Sequence, residues 1–176
     1  IAKNLKISFI RLRAERSEDF EKANQKVIEF LEKALKIAEE NDVTLLIETA
    51  GLYTNTEKLC DVLKLFASDN LGALWNFSTC YFYGKEEPKN VIKNLGAYVK
   101  HVHFYDAVIN DGKLERCLVG EGELPIADMM NALRSVNYDG FISLIWDPAW
   151  CPEIDDMEII YSQFLNYMKQ FADTKA

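Results

Sequence analysis

The sequence predicts an α/β fold in which five consecutive βα units place five parallel strands side by side. Short apolar, β-branched runs alternate with longer segments of helical period, which is the pattern of such units. The runs begin near residues 7, 44, 72, 99 and 141, about 35 residues apart. Eight units at that spacing, enough for a closed (β/α)8 barrel, would need about 280 residues, so a chain of 176 residues holds about five.

The first two strands are predicted at Ile7–Leu12 and Thr44–Glu48. Ser17 is expected to cap the helix between them, in which apolar residues recur three and four apart until about Asn41. A second helix follows the second strand and carries apolar residues on one face. These residues are Leu59, Val62, Leu63 and Phe66.

The remaining strands are predicted at Gly72–Phe77, Val99–Tyr105 and Phe141–Trp146. Pro88 and Pro125 each start a helix, because proline suits a first helical turn. A polar loop rich in Asn, Asp and Gly separates the fourth strand from Pro125, and the last helix is predicted over Met157–Phe171.

Charge and composition exclude several function classes. The chain has 20 Lys and Arg against 28 Asp and Glu, a formal charge of −8, which argues against binding to nucleic acid or to an anionic membrane. No apolar run approaches the ~20 residues of a spanning helix, and the N-terminus lacks the apolar core of a signal peptide. A cytoplasmic protein is therefore expected.

The cysteines predict reduced structural thiols. Cys60, Cys80, Cys117 and Cys151 contain no CxxC pair and fit neither a zinc site nor a small disulfide scaffold. A doubly wound sheet of five strands also fits the length, but its glycine-rich phosphate turn is missing. Only Gly120-Glu121-Gly122 lies in a loop before a helix, and it lacks the rest of that motif.

Polar side chains collect at the predicted carboxyl ends of the strands, where a parallel α/β sheet carries its reactive groups. Side chains alternate along a strand, so both histidines of the fourth strand should face inward. The polar set is Arg11, Arg13, Glu48, Asn76, His101, His103, Tyr105 and Asp147.

These strand ends resemble the last five units of the xylose isomerase-like TIM barrels, a group of sugar or sugar-phosphate isomerases and epimerases that also includes AP endonuclease-like proteins. The matching stretches are TLLIETAG, LGALWNF, KHVHFYDA, LVGEGELP and NYDGFISLIWDPAW. The resemblance implies a partial (β/α)8 TIM barrel, a single domain over residues 1–176 that lacks its first three units. The first residue, Ile1 rather than Met, agrees with a processed product or a fragment.

The resemblance also implies a divalent metal, Mn²⁺, Mg²⁺ or Zn²⁺, held by two glutamates, an aspartate and a histidine. By that comparison Glu48, Asn76 and His103 are the metal ligands, and Glu48 is also the catalytic base. Asn76 replaces the aspartate and Ile145 replaces the second glutamate, so three ligand carboxylates become one. Hard cations depend on that oxygen charge, so a degraded metal site is expected.

Arg11, His101 and Trp146 are assigned to substrate binding. Structural roles compete with these assignments: Glu48 can pair with Arg11 or Arg13, His101 can be a hydrogen-bonded interior histidine, and Asp106 can orient a loop. The aromatic residues near the loops can stack on a sugar ring or cover the barrel rim. They are Tyr81, Phe82, Tyr83, Trp146 and Trp150.

Two functions follow as alternatives. The first is a sugar or sugar-phosphate isomerase or epimerase that uses Glu48 as general base, and the second is a non-catalytic homologue that binds a carbohydrate or polyol. Repair of abasic DNA, another branch of the superfamily, conflicts with the charge of −8. An open five-strand array exposes edges and an apolar inner face, so a homo-oligomer or a covering segment is also expected.

Overall fold

The computed structural model describes residues 1–150 and 156–172, and it contains the predicted parallel sheet. Five strands lie in the order Phe9–Leu12, Thr44–Glu48, Leu71–Asn76, Val99–Phe104 and Ile142–Leu144, and every neighbouring pair is parallel. The sheet is a curled half-barrel, so the predicted partial (β/α)8 barrel is confirmed. Cys151 lies outside the described residues.

The strand bounds are close to those predicted. The main sheet contains β1 (Phe9–Leu12), β2 (Thr44–Glu48), β3 (Leu71–Asn76), β4 (Val99–Phe104) and β7 (Ile142–Leu144), and a separate hairpin contains β5 (Asp106–Asn110) and β6 (Lys113–Cys117). The outward-facing side chains of the central strands pack with the helices in one core. They include Leu45, Ile47, Ala73, Trp75, Val102 and Phe104.

Six α-helices lie within the described residues. They are α1 (Phe20–Glu40), α2 (Thr56–Phe66), α3 (Phe77–Phe82), α4 (Pro88–Leu95), α5 (Ile126–Ser135) and α6 (Met157–Ala172). The predicted cap at Ser17 is wrong. The Asp19 side chain accepts a hydrogen bond from Lys22 N at 3.0 Å, because α1 starts two residues later than expected.

The hairpin of β5 and β6 occupies the segment predicted as a polar loop. Asp111 and Gly112 join its antiparallel strands with φ angles of 48° and 75°. Positive φ at both central residues is the geometry of a type I′ turn, whose twist suits a two-residue hairpin. The hairpin stands apart from the main sheet, so it leaves the predicted parallel order intact.

The two edges of the main sheet are β1 and β7. Large apolar side chains are exposed beside them, with Ile7 at 46% and Phe141 at 79%. Leu46 and Leu74 on the inner face of the central strands are buried, so the predicted apolar exposure is found at the edges and not in the middle. None of the helices among the described residues is long and apolar enough to cross a membrane.

Candidate functional site

The carboxyl ends of β2, β3 and β4 bring three predicted site residues onto one face of the sheet. Asn76 is paired in register with His103, and Glu48 is paired with Leu74, two positions before Asn76. Because side chains alternate along a strand, Glu48, Asn76 and His103 share the inner face. The register therefore agrees with their predicted convergence.

Glu48 is the centre of the site. Its carboxylate is buried and accepts three hydrogen bonds. Arg11 donates to Oε2 from Nε at 2.9 Å and from Nη2 at 2.7 Å, while Asn76 donates from Nδ2 to Oε1 at 2.8 Å. Of the two pairings predicted for Glu48, the one with Arg11 is present, and both carboxylate oxygens are occupied.

Asn76 links this carboxylate to the start of α3. Its Oδ1 accepts from Thr79 N at 3.1 Å, so the same amide that donates to Glu48 also caps the helix. This network fixes the orientation of the amide, because only the nitrogen can donate to a carboxylate and only the oxygen can accept from a backbone N–H. The oxygen that a metal would need therefore already accepts the hydrogen bond that caps the helix.

A buried hydrogen-bond chain supports the two strand ends from behind. Asn76 N donates to Thr49 Oγ1 at 2.9 Å, and Cys80 Sγ lies 3.1 Å from the same hydroxyl. Burial raises the pKa of the Cys80 thiol to about 12. Cys60 and Cys80 are buried free cysteines, and the neutral Cys80 thiol serves packing and hydrogen bonding.

The two histidines lie deeper on the inner face, with ring centroids 5.0 Å apart. Burial, reinforced by His101, lowers the pKa of His103 to about 4, so the His103 ring is neutral at pH 7. Burial also lowers the pKa of His101, whose Nε2 lies 2.9 Å from Ser143 Oγ. Neither histidine lines the cleft described next, and the hydrogen-bonded interior position expected of His101 is present.

A cleft of about 710 Å³ opens above Glu48 and Asn76, and Ile145 forms part of its wall. Among the described residues, its lining contains two carboxylates, Glu15 and Glu48, and five cationic side chains. The cations are Arg11, Arg13, Arg16, Lys58 and Arg116. The described lining of the cleft thus carries more positive than negative side chains, although the formal charge of the chain is −8.

Aromatic rings form another wall of the cleft. The Arg116 guanidinium lies 4.7 Å from the centroid of Tyr105 and 4.0 Å from that of Trp150, which is the geometry of cation–π stacking. Tyr83 also lines the cleft and is largely exposed. Trp146, the tryptophan predicted to bind substrate, does not line it, whereas Trp150 does.

Asp106 fixes the loop that follows the hairpin. Its buried carboxylate accepts hydrogen bonds from the backbone N–H groups of Ala107, Gly120, Gly122 and Leu124 at 2.8–3.2 Å. The predicted loop-orienting role of Asp106 is thus present in the geometry. Gly122 is required here, because a Cβ at that position would collide with the Asp106 carboxylate.

The donor set does not fit a divalent metal. Both oxygens of Glu48 and the amide oxygen of Asn76 are engaged within the protein, and Ile145 offers no ligand atom. Within residues 1–150 and 156–172, no three His, Cys, Asp or Glu side chains are grouped so that they could hold a metal ion.

Two cations of the cleft, Arg16 and Lys58, are not among the site residues predicted from the strand ends. Arg16 lies in the segment after β1, and Lys58 lies in the first turn of α2, after the loop that follows β2. Such loops at the carboxyl ends of strands build the sites of (β/α)8 barrels, so their position was the available signal.

Comparisons with known proteins agree with this architecture. The family model described as "Xylose isomerase-like TIM barrel" matches residues 1–163. An uncharacterized protein of Methanocaldococcus jannaschii is 26% identical over 121 residues, which cover 65% of this chain and 40% of that protein.

Solved structures show the same fold at low identity. A xylose isomerase domain protein from Planctomyces limnophilus has a TM-score of 0.75 at 18% identity, with 98% of this chain and 62% of that chain covered. IolI, solved with a bound zinc atom, has a TM-score of 0.78 at 16% identity over 96% of this chain and 64% of its own.

A D-psicose 3-epimerase from Clostridium cellulolyticum H10, solved with D-tagatose, has a TM-score of 0.75 at 13% identity, with 97% and 66% covered. The chain thus spans less than two thirds of the length of each of these proteins. The match over residues 1–163, the parallel half-barrel and the polar strand ends together show that the chain belongs to the xylose isomerase-like TIM barrel family.

Proposed function

We propose that this chain forms the sugar-binding face of a sugar or sugar-phosphate isomerase or epimerase. The observation that carries the proposal is a cleft of about 710 Å³ at the carboxyl ends of the strands, with Glu48 at its base and Arg11 and Asn76 bound to that carboxylate. Active sites of (β/α)8 barrels lie at this end of the strands.

Each side chain has a defined task in this proposal. Arg11 binds a substrate oxygen with the N–H groups that it does not give to Glu48, and the rings of Tyr105 and Trp150 border the sugar. Glu48 is the general base that removes a proton from the carbon beside the carbonyl. Because Ile145 cannot accept a proton, a two-base epimerisation by the pair expected from the family does not operate here.

A second function, non-catalytic binding of a carbohydrate or polyol, is favoured by one specific observation. Arg11 and Asn76 occupy both oxygens of the Glu48 carboxylate. A proton accepted from a substrate would neutralise the carboxylate and weaken the charge-assisted hydrogen bonds from both partners. The network therefore opposes proton transfer to Glu48 and favours a cleft that binds a sugar without reacting with it.

Hydrogen exchange separates the two functions. The chain is incubated in D₂O with fructose, fructose 6-phosphate and ribulose 5-phosphate, and NMR follows the loss of the proton beside the carbonyl while calorimetry measures binding. Catalysis predicts exchange that Glu48→Gln abolishes and that the exposed α1 control Glu32→Gln leaves unchanged. Binding without exchange establishes the second function, and no binding by any of the sugars contradicts both.

A further inference from the structure

We infer that Arg11 is the built-in cation of this site in place of a divalent metal, and that the cleft selects an anionic sugar, one carrying a phosphate or a carboxylate. The inference rests on the proposed function and narrows its ligand class and its metal requirement. It follows from the geometry of Arg11 and from the distribution of charge around the cleft.

Arg11 lies directly against the Glu48 carboxylate. Its guanidinium makes two hydrogen bonds to the buried Oε2 of Glu48, so a positive charge sits directly against the carboxylate. A second cation at this carboxylate would meet strong repulsion from the guanidinium at a separation of a few Å. Arg11 therefore blocks a divalent ion by charge as well as by occupying the oxygen.

Arg11 keeps N–H groups that it does not donate to Glu48. Arg11 uses Nε and Nη2 on Glu48, its Nη1 makes no hydrogen bond to a described residue, and its side chain is 47% exposed in the cleft. A guanidinium with a free edge binds carboxylate or phosphate oxygens in a planar geometry that an ammonium group cannot match. The edge is thus suited to an oxygen anion.

Arg13, Arg16 and Lys58 bring further positive charge to the cleft. Arg16 makes no hydrogen bond or ion pair within the described part of the chain, and Arg13 has only a 4.0 Å contact with the exposed Glu15. Lys58 lies 3.7 Å from the centroid of Phe20. Within the described residues, Arg13, Arg16 and Lys58 thus keep most of their positive charge uncompensated, so this part of the cleft favours a negative ligand.

The ligand test is calorimetry in EDTA with fructose, fructose 6-phosphate and gluconate. We expect at least one of the two anions to bind about tenfold or more tightly than neutral fructose. The anion that binds more tightly shows whether the cleft prefers a phosphate or a carboxylate. Equal affinity for all three, or binding that appears only with Mn²⁺, overturns the inference while the proposed function stands. Binding of none, with or without Mn²⁺, contradicts the proposed function itself.

A variant that leaves Arg11 in place tests the other cations of the cleft. Arg16→Gln, at an exposed position, should weaken the affinity for the anionic sugar about threefold or more and leave the affinity for fructose unchanged. Lys36→Gln, at an exposed position of α1 outside the cleft, is the control and should change neither affinity. An Arg16→Gln protein that keeps full affinity for the anion contradicts the inference that the cations lining the cleft select an anionic ligand.

The metal test compares two variants by titration with Mn²⁺. Asn76→Asp with Ile145→Glu restores two acids, and adding Arg11→Met removes the competing cation. The triple variant should bind Mn²⁺ about tenfold or more tightly than the double variant, and the unaltered chain should bind it most weakly. Equal affinity of the double and triple variants, or tight binding by the unaltered chain, overturns the assignment of Arg11.

Discussion

Arg11 and Glu48 form an ion pair of unequal burial, since the Glu48 side chain is 1% exposed and the Arg11 side chain is 47% exposed. Removing the arginine leaves a buried carboxylate with Asn76 as its remaining partner. A buried charge without its counterion is costly, but access to water from the Arg11 side reduces that cost.

A double-mutant cycle measures this pair. Arg11→Met and Glu48→Gln, alone and combined, should show a coupling of about 1–2 kcal/mol in the free energy of unfolding by urea. The pair Arg13 and Glu15 is the matched control, because both side chains are more exposed and their atoms are 4.0 Å apart. Its coupling should stay below about 0.5 kcal/mol, and equal couplings would contradict the importance of burial.

The Cys80 thiol predicts a pH dependence of stability. Burial raises its pKa from 9.0 to about 12, so the folded state holds a proton that the unfolded state releases above pH 9. This contribution is fully present below pH 9 and is lost as the pH rises towards about 12.

Urea unfolding at pH 8 and pH 10 checks this. The unaltered chain should lose more stability between the two pH values than Cys80→Ala does, since alanine has no proton to release. Val62→Ala, another buried position on a helix, creates a cavity without removing a titratable group and should retain the full loss. An identical loss in Cys80→Ala and in the unaltered chain would sink the prediction.

At the residue scale, part of the site follows from the sequence. Alternation along the strands places Glu48 and Arg11 on one face, which is enough to predict their pairing. The double role of Asn76 does not follow, because it depends on α3, which is six residues long and too short to display a helical period. Without that helix, Asn76 has only the metal position as an interpretation.

At the scale of elements, the hairpin and the loop after it form one unit held by Asp106. Four backbone N–H groups donate to its two carboxylate oxygens, so the charge of this side chain satisfies donors that are otherwise buried. The unit carries Arg116 to the cleft. The hydrogen bonds to Asp106 therefore also help to position one wall of the proposed binding site.

Asp106→Asn should lower the free energy of unfolding by about 3 kcal/mol, because the amide nitrogen would face N–H donors in place of an acceptor oxygen. Urea unfolding gives the stability, and amide hydrogen exchange at Gly120 and Gly122 should accelerate in the variant. Asp61→Asn, exposed on α2, is the control and should change stability by about 0.5 kcal/mol or less. A neutral effect of Asp106→Asn would show that water replaces the carboxylate.

The strands of the main sheet are the elements that the sequence predicts best, because buried parallel strands have continuous apolar runs. The hairpin is missed for a different reason. Its strands alternate weakly and lie among polar residues, although Asp111-Gly112 is a strong signal for a two-residue turn. The start of α1 moves from Ser17 to Asp19, since both residue types are good caps and their cap preferences alone do not distinguish them.

At the scale of the whole molecule, the two open edges of the half-barrel are the surfaces most suited to association. Ile7 beside β1 and Phe141 beside β7 expose apolar surface next to unpaired strand edges. Such edges invite pairing with another strand. We propose that three further βα units, or a second copy of the chain, cover them.

Light scattering tests the behaviour of the 176-residue chain. Its mass should rise above the 20.2 kDa of one chain as the concentration increases. Ile7→Lys and Phe141→Lys together should reduce this association, because charge at an edge opposes strand pairing. Leu65→Lys, at an exposed position of α2 away from both edges, should have a smaller effect, and a concentration-independent mass of one chain contradicts the prediction.

The shared amide of Asn76 also restricts how this site could change in evolution. Replacing Asn76 alone by Asp would place a second carboxylate where Nδ2 now lies 2.8 Å from Glu48, and like charges at that distance repel. Losing Arg11 alone would strip Glu48 of its counterion. Each single substitution towards a metal site is therefore unfavourable. Arg11 and Asn76 are thus epistatic, and a metal site would require both positions to change together.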